Sequence, residues 1–332
     1  MISPLFIRNT SLVVALFCLP QYSIAQATTS KTPPKTPVKT LAKPSNAAEK
    51  TDKIVAAKPA DKKADEQPEP EPVSRYGEQH SGTFGVFEKG AVAYTLATDV
   101  NLRETATTDG KIVTTIPIGT AVKIEEQLEK TYKKNGFTAP WHKVSFTENG
   151  TKKTGFVWGG MLTQAIVRTK QTDGTVFLLG MTNLNADKMR GTLQIRAARN
   201  GKELTKMEFA SHATFEERGM YIQCVSLGTA GFTTGVADAI LFETGYQACS
   251  YTQSERLIIW DGTQLHDGYE ATTTADAGVF AESNTMIFPN EKDGKPQAIV
   301  VKWEMDQTDE KEKTTTQRKQ WTYKWNGKKF AK

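Results

Sequence analysis

Val100-Asn101-Leu102-Arg103, Ile118-Gly119-Thr120-Ala121-Val122-Lys123-Ile124, Trp141-His142-Lys143-Val144-Ser145-Phe146 and Gly155-Phe156-Val157-Trp158 follow one another within residues 91–165. Apolar and polar residues alternate at Val122, Ile124 and again at Val144, Phe146, the period of a strand with one buried face. Glu148-Asn149-Gly150-Thr151, between Phe146 and Phe156, predicts a hairpin turn, because Asn-Gly accepts the positive φ of a tight reversal. Short strands divided by turn-formers predict a small β-barrel.

The same residues supply, in order, an N-[LV]-R, an apolar-G-T-x-V, a W-x-K-V and a closing G-[FWY]-V. In this the stretch resembles the bacterial SH3-like (SH3b) domain. It departs from the pattern where Glu104-Thr105-Ala106 replaces the usual Ser-Gly-Pro, and where Gln127 to Pro140 is longer than usual. That longer segment reads either as a ligand-contacting insertion or as padding. The resemblance implies a shallow groove between two loops, floored by aromatics, for a cell-wall or peptide ligand. Its candidates are Tyr132 and Phe137 in the long loop and Trp141 and Trp158 at its base. The competing reading makes Trp141 and Trp158 barrel core, whereas the polar neighbours Lys130, Lys133, Lys134 and Asn135 argue against core for Tyr132 and Phe137.

A chain of 332 residues with 38% hydrophobic content can build two or three domains. Lys and Arg number 42 against 37 Asp and Glu, and a net charge of +5 at this length describes a solvated surface, not a nucleic-acid partner. Residues 1–25 predict a secretory signal peptide: Arg8 supplies the positive start, Ser11 to Leu19 the apolar core, and Ser23-Ile24-Ala25 or Ala25-Gln26-Ala27 the cleavage site. The apolar run falls short of the ~20 residues that span a bilayer. Cys18 raises a lipoprotein alternative, opposed by Phe17 where such signals need a small residue. An exported, periplasmic or secreted protein is expected, with no transmembrane segment in the mature chain.

Residues 26–75 are rich in Lys, Pro, Ala, Thr and Glu and cannot bury enough apolar surface to offset chain entropy, so a disordered linker is predicted. Its Pro-Lys and Pro-Glu tracts are similar in composition to those of envelope-spanning proteins. Fully extended at about 3.1 Å per residue, it would reach on the order of 140 Å. Pro34-Lys35-Thr36-Pro37 has PxxP spacing, which leaves self-binding open beside the spacer reading. Residues 76–90 form a lead-in, with Phe84, Val86 and Phe87 placed to pack on the barrel.

Residues 166–332 predict a larger antiparallel β-domain. Asn200-Gly201, Asp261-Gly262 and Asn326-Gly327 each follow a strand-like run, at intervals of 61 and 65 residues. Such spacing suggests either a sandwich or propeller-like meanders, and three units favour the sandwich. Ile299, Val301, Trp303, Met305 and then Trp321, Tyr323, Trp325 alternate with polar residues, so the two runs predict a hairpin with a charged tip from Asp306 to Lys319. These aromatic stripes read as core before they read as a sugar platform.

Cys224 and Cys249 remain after the signal and are expected to form a disulfide. Ala248-Cys249-Ser250 with His266 downstream is similar in outline to the nucleophile motif of NlpC-type cell-wall peptidases, which gives an enzymatic alternative. Ala248 replaces the Asp of that motif, and Tyr251 to Trp260 reads as strand where a helix would be needed to lower the thiol pKa. Scattered histidines and isolated Asp-Gly turns predict neither metal nor cofactor. The chain is thus read as an all-β, exported, non-catalytic binding protein of the bacterial envelope, whose partner is peptidoglycan or a peptide or protein ligand. The alternatives are a Cys249/His266 hydrolase or an interaction module for another envelope protein.

Overall fold

The structure, a computed structural model, describes residues 84–332 apart from 172, 216–219, 247 and 277 and the side chain of Met220. The expected signal peptide, linker and first half of the lead-in lie outside these residues. The described residues all belong to one compact unit.

The first sheet contains β1 (Val92–Thr95), β2 (Val100–Arg103), β3 (Ile112–Ile116), β4 (Ala121–Lys134), β5 (Phe137–Glu148), β6 (Thr151–Trp158) and β7 (Leu162–Thr163), ordered β3-β2-β6-β5-β4-β1-β7. It curls around Phe87, Val100, Leu102, Ile116, Val122, Ile124, Val144, Phe146 and Val157. These are the inward members of the alternating runs. Asn149 and Gly150 carry the positive φ values, 50° and 76°, of the expected β5–β6 turn.

Gln127 to Pro140 is not a loop. β4 and β5 continue as an arm to a second Asn-Gly turn at Asn135-Gly136, with φ of 50° and 76°. A bulge between Gln127 and Thr131 re-aims the arm away from the barrel. The sequence reading missed it because Glu125 to Lys134 is almost wholly polar on both faces, so no period-2 signal marks it as a strand.

The second sheet is a meander of β8 (Ile166–Arg168), β9 (Val176–Asn185), β10 (Arg190–Arg199) and β11 (Lys202–Ala210). On one face Leu178 and Ala198 pack with Leu96 and Ile118 of the barrel. The approach is close: a Cβ on Gly180 would fall 2.1 Å from Leu96 Cδ2. On the other face Phe177, Leu179, Leu193 and Ile195 meet Ile240, Phe242, Ile258 and Trp260 of the third sheet.

That third sheet runs in sequence order through β12 (Met220–Ser226), β13 (Asp238–Tyr246), β14 (Gln253–Trp260), β15 (Leu265–Asp276), β16 (Phe280–Ile287), β17 (Ala298–Thr308), β18 (Thr314–Trp325) and β19 (Phe330–Ala331). Ala239–Phe242 and Leu257–Trp260 are unbroken apolar runs because both faces are covered. Alternate members face the second sheet, and Ala239, Leu241, Leu257 and Ile259 face Met286, Ile299, Val301 and Trp325 of the same sheet folded back on itself. β15 makes the corner, since it pairs with β16 only from Thr273↔Ser283 to Asp276↔Phe280. The result is a sandwich inside one sheet, with the second sheet as a further layer. The three spaced Gly turns close β10–β11, β14–β15 and β18–β19, and the hairpin expected from Ile299 to Trp325 is β17–β18 with Val301 opposite Trp321.

The expected Cys224–Cys249 disulfide is not formed, and Cys224 is a free thiol. The register explains why. Cys224 stands opposite Phe242 in β12–β13, whereas Cys249 lies beyond the Met220↔Tyr246 pair that ends the ladder. Four strand residues, about 13 Å, separate the two levels, well beyond the ~7 Å that a disulfide allows between Cα atoms.

Candidate functional site

Trp141 and Trp158 are cross-strand partners on the outer face of β5 and β6, opposite in direction to the barrel-core residues Val144 and Val157. In an isolated barrel they would floor the expected groove. Here they join the apolar cluster that contains Phe84, Phe177, Phe215 and Trp260, so the chain's own sheets cover them. Trp141 is 4% exposed, Phe137 4% and Trp158 7%, and only Tyr132 reaches solvent, at 37%. Three of the four expected ligand-binding aromatics are therefore junction core.

The arm is what brings them there. Its turn abuts β9, where Leu184 N–H donates to the Asn135 carbonyl at 3.1 Å and Asn135 Nδ2 to that of Thr182 at 3.3 Å. Trp158 Nε1 donates to the carbonyls of Tyr132 and Ala139, at 3.1 and 3.0 Å. Tyr132 lies edge to face on Trp158, with ring centroids 5.3 Å apart.

The β2–β3 connection, the arm and β6 each contribute a side chain to one flank of the barrel. Ala106 from the β2–β3 connection, Leu128 from the arm and Phe156 from β6 are half-buried beside the same cluster. The Asp109 carboxyl is held below its usual range, chiefly by the Thr107 hydroxyl and in smaller part by Lys130 and Arg103. Lys130, Lys133 and Lys134 are exposed along the arm beside Tyr132. The flank thus offers an aromatic edge, short aliphatic contacts and ammonium groups.

The residues of the enzymatic alternative are kept apart. Cys249 precedes the start of β14 at Gln253, whereas His266 pairs with Ile259 near its far end. Six strand residues, about 20 Å, lie between, against the hydrogen-bond reach that a nucleophile and its base require. The His266 ring is engaged elsewhere, with Nε2 2.7 Å from Asp261 Oδ2 and an edge-to-face contact on Trp325. Although burial opposes it, hydrogen bonds from His266, Gln264 and Thr263 hold the Asp261 carboxyl well below the usual carboxylate range.

Two buried polar groups that the sequence reading did not single out tie the sheets together. Glu270 on β15 accepts from the His212 backbone at 2.9 Å, from His212 Nδ1 at 2.6 Å and from Arg256 at 2.9 Å. Arg256 also pairs with Asp267 and lies 4.5 Å over the Phe209 ring. Asp238 accepts from Ser226 Oγ at 2.8 Å and from Lys170 N–H at 3.1 Å, which fastens the β8–β9 connection to β13. A lone Asp or Glu in a polar context carries no spacing signal, so nothing in the sequence marked them. Among the described residues no three His, Cys, Asp or Glu side chains are grouped to hold a metal, and no helix is long and apolar enough to cross a membrane.

No curated protein and no solved structure matches the chain. A family model, described as Bacterial SH3 domain, matches residues 98–163. That range takes in β2 to β7, including the arm, and a domain of this kind points to a cell-wall or peptide-binding module. Residues 98–163 of this chain are a bacterial SH3 domain.

Proposed function

We propose that this is an exported, non-catalytic binding protein of the bacterial envelope, and that its SH3 domain holds a cell-wall or peptide ligand on the flank between the β2–β3 connection and the arm. The observation that carries this reading is the exposure of Tyr132 while its ring rests on buried Trp158. An aromatic side chain fixed from below and open above is a pre-organised contact, because little side-chain entropy remains to be lost on binding. Half-buried Ala106, Leu128 and Phe156 extend the contact, and Lys130, Lys133 and Lys134 supply charge for ligand carboxylates. The separation of Cys249 from His266 along β14 supports a non-catalytic role. An export signal read in residues 1–25 supports the location.

Co-sedimentation of the mature chain with purified peptidoglycan tests the reading. Tyr132→Ala is expected to weaken pelleting about tenfold, ~1.4 kcal/mol. Failure of the unaltered chain to pellet at moderate salt would remove the wall as ligand. Equal pelleting of both chains would remove this flank.

A further inference from the structure

The sandwich made by β12–β19 has a second candidate site, independent of the SH3 domain, at the end of its interior next to the β15 corner. On one wall the core row Leu241–Leu257 is followed, two residues on, by Gln223, Glu243 and Glu255, which stand directly opposite one another across β12, β13 and β14. Side chains in such a row share a face and lie about 5 Å apart. On the other wall the core row Met286–Val301 is followed by Asn284 and Trp303, themselves cross-strand partners. The first row continues through Glu255 to Ala271 of β15, and in the second Asn284 follows Ser283 of the corner pair Thr273↔Ser283, its Nδ2 reaching Thr272 Oγ1 at 3.4 Å.

Gln223 is the anomaly. It is 4% exposed, and neither its amide nitrogen nor its amide oxygen has a hydrogen-bond partner. A buried amide left with both ends unpaired is costly, so a donor and an acceptor are needed beside it. Glu243, its neighbour, accepts from the hydroxyl of buried Tyr221. Burial pushes the Glu243 carboxyl above its usual range, and the charge of Glu255 adds to the shift. A positive group beside Glu243 would relieve both effects.

The chemistry of the occupant follows from these unmet demands. Gln223 Oε1 and the Glu243 carboxylate both call for hydrogens from a cationic donor, which an ammonium with three N–H groups provides. Gln223 Nε2 calls for an acceptor within an amide's width of that ammonium, which a carbonyl on the adjacent carbon provides. We infer that this end of the sandwich binds an α-ammonium group together with its neighbouring carbonyl, as presented by a free amino acid or a peptide N-terminus. Trp303, on the other wall, already carries Lys319, whose Nζ lies 4.7 Å from the ring centroid, so Gln223 and Glu243 define the subsite.

Calorimetric titration of the mature chain with glycinamide, which carries both groups and no carboxylate, tests the inference. Saturable binding is expected, at least tenfold weaker for ethylamine, which lacks the carbonyl, and absent for N-acetylglycinamide, which lacks the ammonium. Glu243→Gln, which retains an acceptor for Tyr221, and Gln223→Leu should each weaken glycinamide at least tenfold, with unaltered thermal melts showing that the variants are folded. No saturable glycinamide binding by the unaltered chain up to on the order of 10 mM, or equal affinity for ethylamine, would overturn it. So would a Gln223→Leu chain that binds normally, which would show that water alone satisfies the amide. None of these outcomes depends on peptidoglycan or on Tyr132, so this site and the SH3 flank stand or fall separately.

Discussion

Trp158 donates its indole N–H to the Tyr132 carbonyl while its ring supports that of Tyr132 edge to face. One side chain of β6 therefore fixes both the backbone and the aromatic of the arm. Trp158→Phe keeps most of the apolar contact and removes the donor to Tyr132 and Ala139. A loss of about 1–3 kcal/mol is expected in urea denaturation of the mature chain, for one buried, shared donor. Trp158→Ala should cost more, about 3–5 kcal/mol, because it also leaves a cavity.

Gly136 and Gly150 provide a matched pair. Both have φ of 76° and both close hairpins of the first sheet. A Cβ on Gly136 would lie 1.9 Å from the Leu184 carbonyl oxygen, whereas one on Gly150 meets nothing within 4 Å. Gly150→Ala is expected to cost about 1 kcal/mol, the left-handed backbone penalty alone. Gly136→Ala should cost clearly more and release the Leu184 amide, which donates to Asn135, to hydrogen exchange. Equal costs would show that the arm does not depend on β9.

The barrel was legible because its strands combine one buried face with turn residues, and Val122, Ile124, Val144 and Phe146 are where alternation placed them. The hairpins at Asn200-Gly201, Asp261-Gly262 and Asn326-Gly327 were legible for the same reason. Burial of Trp141 and Trp158 was not, since an outward aromatic on a strand looks the same whether a ligand or another sheet covers it. Leu257–Trp260 read as strand, but its continuous apolar character, the mark of a layer buried on both faces, was not used to infer the third layer. Cys224 and Cys249 illustrate the limit of counting: pairing depends on register, and the register sets the two residues at different levels of β12–β13.

Burial pushes the Cys224 thiol up to about 12. Since the thiolate is the reactive form, Cys224 should resist alkylation in the folded chain. Iodoacetamide at pH 8 followed by peptide mapping should leave Cys224 unmodified in native buffer and modify it in denaturant. Native labelling at a rate like that of a free model thiol would mean that β12 opens readily from the sheet edge.

His142 sets an acid limit on stability. It is fully buried in β5, its Nε2 accepts the Phe87 backbone N–H at 3.2 Å, and Phe87 packs edge to face on the ring. Burial lowers its pKa from 6.5 to about 4, only partly offset by the backbone at Pro140. The unfolded state therefore binds the proton more readily, and the contribution of the neutral ring is complete above pH 6.5 and lost as pH falls toward 4. The shift corresponds to about 3 kcal/mol at most. Protonation would also put a hydrogen on Nε2 against the Phe87 N–H and remove that acceptor, so the lead-in should detach from the barrel first. Stability by urea denaturation should decline between pH 6.5 and 4, with exchange of the Phe87 amide rising in the same interval. In His142→Gln, whose side chain does not titrate, the decline should be shallower by about that amount. An identical pH profile in the variant would show that the acid limit does not arise at His142.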